Sequence, residues 1–243
     1  MKKKIVVLTG AGISAESGIA TFRDSNGLWE NHAIEEVATP EGFRKNPALV
    51  LEFYNQRRKQ AMSAQPNDGH LALKALEAFY EVQIITQNVD NLHEKAGSVN
   101  VLHLHGELFQ SRSTLNSRKI YEIDGWELKL GDLAEDGSQL RPNIVWFGED
   151  VPNIIPAAQH CAEADIFIIV GTSMQVYPAA GLIDYVPKSV PVYVIDPHIP
   201  SMQSRKNLTF IQETGSTGLK QLHEILRNLS IKLSDAKTSR NFE

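Results

Sequence analysis

The sequence predicts an α/β fold, a doubly wound parallel sheet with a smaller discontinuous domain. Short apolar runs rich in Val and Ile recur along the chain, helical patterns lie between some of them, and polar motifs sit just past their ends. The runs at 5–8, 82–86, 101–104, 166–170 and 192–195 are continuous, as strands covered on both faces are.

Between the runs, 68–80 reads as a helix with Asp68 at its N-cap and Leu73, Leu76 and Tyr80 on one face. Residues 178–185 and 217–229 also read as helices, the second with a stripe of Leu219, Leu222, Ile225, Leu226 and Leu229. Two stretches break this rhythm. Residues 29–65 are helical and loop-like, with Pro40 and Pro47 as breakers, and 110–141 is polar with weak alternation at 120–123 and 126–130. We expect 30–65 and 110–141 to form the small domain, with 1–29, 66–109 and 142–231 forming the sheet domain. The polar segment 232–243 is expected to be a flexible tail.

The chain has 243 residues, 42% hydrophobic and 22% charged, which suits a globular protein that buries its core without disulfides. A net charge of −5 argues against nucleic-acid partners, and no apolar stretch of about 18 residues suggests a membrane span. Cys161 is the single cysteine, so neither an internal disulfide nor a zinc site of several thiolates can form. We read this as a cytoplasmic setting.

The most informative segment is 9–23, directly after the first run. Gly10 and Gly12 allow a tight turn and close approach to a ligand, and Ser14 or Ser17 is placed to cap a short helix whose amides favour a phosphate. A strand, a glycine turn and a helix start make a nucleotide pyrophosphate site. It departs from G-x-G-x-x-G, because Ala15 takes the third glycine place and the acidic residue at the expected distance, Glu30, is not on a strand.

Other polar motifs follow the strands: Gln87-Asn88-Val89-Asp90, His105-Gly106, Gly171-Thr172-Ser173 and Asp196. Ligands of open parallel sheets bind at this carboxyl edge. His105, at a strand end before a glycine, suits a general base near neutral pH. His103 and His93 read as structural.

GAGIS, GI and TFR at 10–23, TQNVDNLHEKAGS at 86–98, LHLHGEL at 102–108, WFGE at 146–149 and GTSMQVYPAAG at 171–181 together resemble the motif set of the sirtuins, NAD-dependent protein lysine deacylases. The resemblance runs from about 6 to 229 and implies a Rossmann-like domain with a small domain built from two insertions. It implies NAD as co-substrate and acylated lysines of proteins or peptides as partners. The products would be free lysine, nicotinamide and O-acyl-ADP-ribose.

By that resemblance, His105 and Asn88 are catalytic. Gly10, Ala11 and Gly12 would face the pyrophosphate, with Phe22 and Arg23 on a loop over the nicotinamide end. Gln87, Asn88, Val89 and Asp90 would line the nicotinamide and ribose pocket. Gly171, Thr172 and Ser173 would contact the adenosine side, with Asp196 on its ribose and Thr217 near adenine. Val145, Trp146, Phe147, Gly148 and Glu149, with the segment 174–177 that includes Val176, would clasp the substrate peptide as an added strand. Tyr54 and Arg57, spaced to share one helix face, resemble the pair of sirtuins that remove succinyl and malonyl groups.

Two departures stand out. Sirtuins usually carry four zinc cysteines after the HG motif, and 110–141 has none. No zinc is therefore expected, and Leu115, Ile120, Ile123, Trp126 and Leu128 are the expected metal-free core. Asp196 stands where the family usually has Asn. It can accept ribose hydroxyls and disfavours a phosphate, which fits NAD over NADP. The alternative readings are an ADP-ribosyltransferase or NAD glycohydrolase using the same pocket, and a non-catalytic NAD-sensing module.

Overall fold

A computed structural model describes residues 2–20, 28–29, 32–200, 202 and 205–240, the side chains of 28, 29 and 232–240 excepted. In chain order, β1 (Lys4–Thr9) leads into two 3-10 turns, Ala11–Ile13 and Ala15–Ser17. A short hairpin of β2 (Leu28–Trp29) and β3 (His32–Ala33) precedes helices α1 (Ile34–Val37), α2 (Pro40–Lys45), α3 (Pro47–Ser63) and α4 (Asp68–Leu76). Next come β4 (Glu81–Thr86), α5 (Leu92–Lys95), β5 (Val101–His103), β6 (Gly106–Ser113), β7 (Ile120–Glu122) and β8 (Leu140–Ile144). The elements α6 (Ile154–Ala162), β9 (Ile166–Val170), β10 (Val192–Ile195), β11 (Leu208–Ile211) and α7 (Gly215–Arg240) follow.

The main sheet has six parallel strands in the order β11-β10-β9-β1-β4-β5. The chain winds outward from β1 on one side, then returns to β9 and winds outward on the other. The order therefore reverses beside β1, where doubly wound sheets bind ligands. Alternate residues of each strand point to opposite faces. Val6, Leu8, Phe167, Ile169 and Val194 pack with α6 and the 3-10 helix Ala179–Tyr185. Ile5, Val7, Ile84, Ile168 and Val170 pack with α4 and α7. The single cysteine, Cys161, belongs to the first of these cores.

A second, antiparallel sheet has the order β7-β6-β8. It packs with α1–α3 around Val37, Phe43, Val50, Phe53, Tyr54, Leu108, Leu128 and Trp146. Pro40 and Pro47 do not merely break this region. Each opens a helix, behind the caps Thr39 and Asn46, as proline at the first turn does. Among the described residues, no helix is long and apolar enough to cross a membrane.

Several expectations are corrected. The N-cap of α4 is Asn67, in a capping box with His70, so Asp68 is the first helical residue. Ser14 stands at the N-cap of the second 3-10 turn but its side chain makes no capping bond, and Ser17 lies within that turn. Strand β11 carries no continuous apolar run because it is a half-buried edge. Helix α7 runs through the expected tail to Arg240, and its buried stripe is Leu219, Leu222 and Leu226, leaving Ile225 and Leu229 exposed. In the small sheet region Leu128 is buried, but Leu115 and Ile120 are exposed and contribute no core.

Candidate functional site

The loop after β1 and the end of β9 meet backbone to backbone. Gly10 N donates to Val170 O at 3.0 Å and Gly12 N to Gly171 O at 2.9 Å. A Cβ on Gly12 would lie 2.6 Å from Gly171 Cα, and Gly171 has φ +62°. Both glycines are required by this contact. The Gly10 and Gly12 amides are therefore engaged within the fold, while both residues still line the cleft.

Beside this loop, Asn88 Nδ2 donates to Gly10 O at 3.2 Å and to Ser14 Oγ at 3.1 Å. Ser14 Oγ in turn donates to Asp90 Oδ2 at 3.0 Å. Asp90 also accepts from Leu92 N at 3.1 Å. Burial raises the Asp90 carboxyl above its usual range, and the Leu92 and Ser14 hydrogen bonds oppose that rise. Gln87 Nε2 donates to Thr172 Oγ1 at 3.0 Å, tying β4 to β9 across β1.

His105 follows β5, where Gly106 at φ +82° turns the chain into β6. A side chain on Gly106 would strike the Asn143 carbonyl. The His105 ring is anchored by Nδ1 to Gln87 O at 3.1 Å. A carbonyl only accepts, so Nδ1 carries the proton and Nε2 is left with its lone pair. Burial lowers the His105 pKa, with the Gln87 carbonyl opposing, so the ring is neutral at pH 7. His103 is buried and differently engaged, with Nδ1 on Asn88 O and Nε2 on Glu94, each at 2.9 Å. Burial lowers its pKa, but Glu94 outweighs that and leaves it raised. His93 is buried on Thr9 Oγ1 at 3.1 Å. The bonds of both histidines fit structural roles.

Helix α3 and the loop 145–149 supply the opposite wall. Arg57 is 8% exposed and Tyr54 fully buried. Tyr54 Oη accepts from Trp146 Nε1 at 3.0 Å. Glu149 accepts from Arg112 Nη2 at 2.9 Å, Arg141 Nη1 at 2.7 Å and Trp146 N at 2.8 Å. Its carboxylate is thus committed to shaping the loop. Phe147 N donates to Ala38 O at 3.0 Å, pinning the loop to the end of α1.

One cleft of about 490 Å³ joins these walls. It is lined by Gly10, Ala11, Gly12, Gln87, Asn88, Val89, Asp90, His105, Gly171, Thr172, Ser173 and Asp196. The same cleft reaches Tyr54, Arg57, Val145, Phe147, Gly148, Glu149 and Val176. Thr217 is exposed and does not line it; Thr214 and Gly215, at the start of α7, do. Phe22 and Arg23 lie outside the described residues. The sequence reading passed over Gln60, which lines the cleft and donates from Nε2 to Gly18 O at 3.0 Å. It also passed over Ser14 as a cleft residue.

Comparison with known proteins agrees with this geometry. A model of the Sir2 family matches residues 10–178. An NAD-dependent protein deacylase of Bacteroides thetaiotaomicron is 52% identical over 229 residues, covering 92% of this chain and 98% of its own. One from Helicobacter pylori is 53% identical over 222 residues, covering 90% and 96%. A solved Sir2 homologue mutant in complex with ADP-ribose has a TM-score of 0.84 at 38% identity, over 94% of this chain and 93% of that one. A Sir2–p53 peptide–NAD+ complex has a TM-score of 0.76 at 29% identity, over 92% and 93%. With the family model spanning the glycine loop, His105 and the WFGE loop, the chain belongs to the Sir2 family.

Proposed function

We propose that the chain is an NAD-dependent protein-lysine deacylase that takes acidic acyl groups, succinyl or malonyl, as well as acetyl. One observation carries this reading. A single cleft joins the nucleotide loop, a neutral His105 and the Tyr54–Arg57 face of α3. Relatives at this identity are named NAD-dependent protein deacylases, and a neighbour is bound to a peptide and NAD+.

The donor set fits NAD. Asp196 and the Thr172 and Ser173 hydroxyls suit the adenosine end. The Asn88 amide and the Asp90 carboxyl, held by Ser14, suit the nicotinamide ribose and carboxamide. When bound, NAD supplies an electrophilic ribose carbon and a leaving nicotinamide. His105 Nε2 takes the proton from a ribose hydroxyl, and the Gln87 carbonyl holds the tautomer that leaves this nitrogen basic. Val145 and Phe147–Gly148 on one side and Val176 on the other hold the peptide backbone. Arg57 pairs with the acyl carboxylate, and Tyr54 donates to it.

The test compares kcat/KM on acetyl-lysine and succinyl-lysine peptides. His105→Ala lowers both by about 10²–10⁴-fold while NAD binding persists. Arg57→Met lowers desuccinylation by about 1.5–3 kcal/mol relative to deacetylation. Near-normal turnover by His105→Ala would overturn the catalytic assignment. An unchanged acyl ratio in Arg57→Met would overturn the acidic-acyl assignment alone.

A further inference from the structure

We infer that Asn67 is a positioning residue for NAD. From outside the cleft it clamps the loop after β1 to the start of α7, and so sets the spacing of the walls at the nucleotide end. The inference rests on the reading that the nucleotide lies between that loop and α7.

Asn67 caps α4 by accepting from Gly69 N at 2.9 Å. A cap needs only that one acceptor, yet the rest of the amide is also engaged. Nδ2 donates to Ile13 O at 2.7 Å and to Ser17 Oγ at 3.0 Å, both in the loop. Oδ1 accepts in addition from Ser216 Oγ, in the first turn of α7, at 3.2 Å. A carboxamide has two N–H donors and an oxygen with two lone pairs, so these bonds use the whole side chain. It joins three elements that are far apart in the sequence.

The joined elements form two walls of the cleft. Ser14, Ala15 and Glu16 line it from the loop, and Thr214 and Gly215 from the start of α7, while Asn67 does not line it. The backbones meet closely here. A Cβ on Gly215 would lie 3.3 Å from Ile13 Cα, and one on Gly69 would lie 3.2 Å from Gly215 O. Gly10 and Gly12 tie the first residues of the loop to β9, and Asn67 holds Ile13 and Ser17 on either side of Ser14. Glu16 accepts from Ser216 N at 3.0 Å, a direct bond between the walls, but an exposed one. Walls held at a fixed spacing spare the ligand the cost of ordering them. The His105 ring is anchored elsewhere, on Gln87 O, so the clamp bears on NAD affinity rather than on turnover.

Asn67→Asp keeps the oxygen that accepts from Gly69 and Ser216, and Asp caps a helix as well as Asn does. It sets a carboxylate oxygen against Ile13 O in place of the donor. The KM for NAD should rise by about three- to tenfold, the worth of one hydrogen bond, with kcat and the KM for an acetyl-lysine peptide unchanged. The Kd for ADP-ribose, measured by calorimetry, should rise by the same factor. Tyr80→Phe is the control for lost stability. Tyr80 Oη donates to Leu226 O at 2.8 Å, further along α7, so this variant should lower the thermal midpoint and leave the KM for NAD alone. A wild-type KM for NAD in Asn67→Asp, a loss in kcat instead, or an equal rise in Tyr80→Phe would overturn the inference. Should Asn67→Asp not fold, Ser17→Ala combined with Ser216→Ala removes one bond to each wall and leaves the cap in place. A KM for NAD raised about threefold supports the clamp, and an unchanged one ends it. Wild-type protein that binds no ADP-ribose would overturn the placement of the nucleotide itself.

Discussion

Every residue of β9 is buried, and its neighbours β1 and β10 pair with it through Val, Leu and Ile apart from Thr9 and Tyr193. In the small sheet, β7 has exposed residues at both ends, and the segment after it is held by side chains bonded to backbone. Arg58, fully buried, donates to Trp126 O at 2.8 Å, Leu108 O at 2.9 Å and Asn55 Oδ1 at 2.6 Å. Asn55 accepts from Leu128 N at 2.9 Å and donates to Leu128 O at 3.1 Å. One region is joined by apolar burial and the other by polar staples. Apolar burial is non-directional and suits a scaffold, while directed bonds fix individual side chains, as acyl selection requires.

The contrast extends to acid, where the largest effect is expected. Under the parallel sheet, His70 and His93 are buried edge to face, with centroids 4.9 Å apart. Burial lowers the His70 pKa from 6.5 to about 4, and burial followed by His70 itself lowers that of His93. His70 Nδ1 accepts from Asn67 N at 3.3 Å, so protonation there breaks the α4 capping box. The unfolded chain takes up protons that the folded chain refuses, so stability falls as pH falls from about 6.5 to about 4. His70 alone accounts for about 3 kcal/mol of this. In the small region, burial raises Glu149 but Arg141 and the Trp146 N–H outweigh it, so its pKa is lowered. Its contribution is present above the usual carboxylate range and is lost only as pH falls below it. Urea unfolding at several pH values should show most of the loss above pH 4.5. His70→Gln, which retains a capping acceptor, should flatten it. The same slope in that variant would break the contrast.

A smaller effect is expected from the staple itself. Arg58→Met leaves its acceptors unmet, but it also recovers the cost of burying a guanidinium, whose pKa burial has lowered to about 10. The net loss should be about 2 kcal/mol. Its location is the sharper readout. Hydrogen exchange should quicken at β6, β8 and Leu128 and stay unchanged in β1 and β9. Uniform quickening would mean that the two regions unfold as one unit.

Much of this was legible in the sequence because burial on both faces leaves an unbroken apolar run. Each of the five runs marks a strand, and the polar residues just beyond them line the cleft. What escaped has physical causes. Arg58 stands among basic residues, and the carbonyls that hold it, of Leu108 and Trp126, lie far along the chain. The Trp146–Tyr54 bond spans 92 residues and leaves no local trace. Thr217 came from the family resemblance alone; it is exposed within α7, which begins at Gly215, and Thr214 just before that helix lines the cleft instead. Leu115 and Ile120 were expected inside because hydrophobicity alone does not say that a short sheet has an outer face.

The smallest expected effect is none at all. A structural zinc contributes folding energy directly, so a domain that depends on one unfolds when the metal is removed. In this chain the same stretch is closed by its own bonds. Ser113 Oγ donates to Asp136 Oδ2 at 2.6 Å and accepts from the backbone of Leu115 at 3.1 Å and Asn116 at 2.9 Å. Ser138 Oγ donates to Asp136 Oδ1 at 2.6 Å, and these hydroxyls, Ser113 first, lower the Asp136 pKa to about 2. With Asn55 and Arg58 they give 110–141 an anchor at both ends, one at the tip of the sheet and one against α3. Metal analysis of the purified protein should find no stoichiometric zinc. Incubation with a strong chelator should leave both the thermal midpoint and the deacylation rate where they were. A zinc equivalent per chain whose removal lowers the midpoint would show that the polar staples are not what holds the small region, and the contrast between the two sheets would have to be redrawn around the metal.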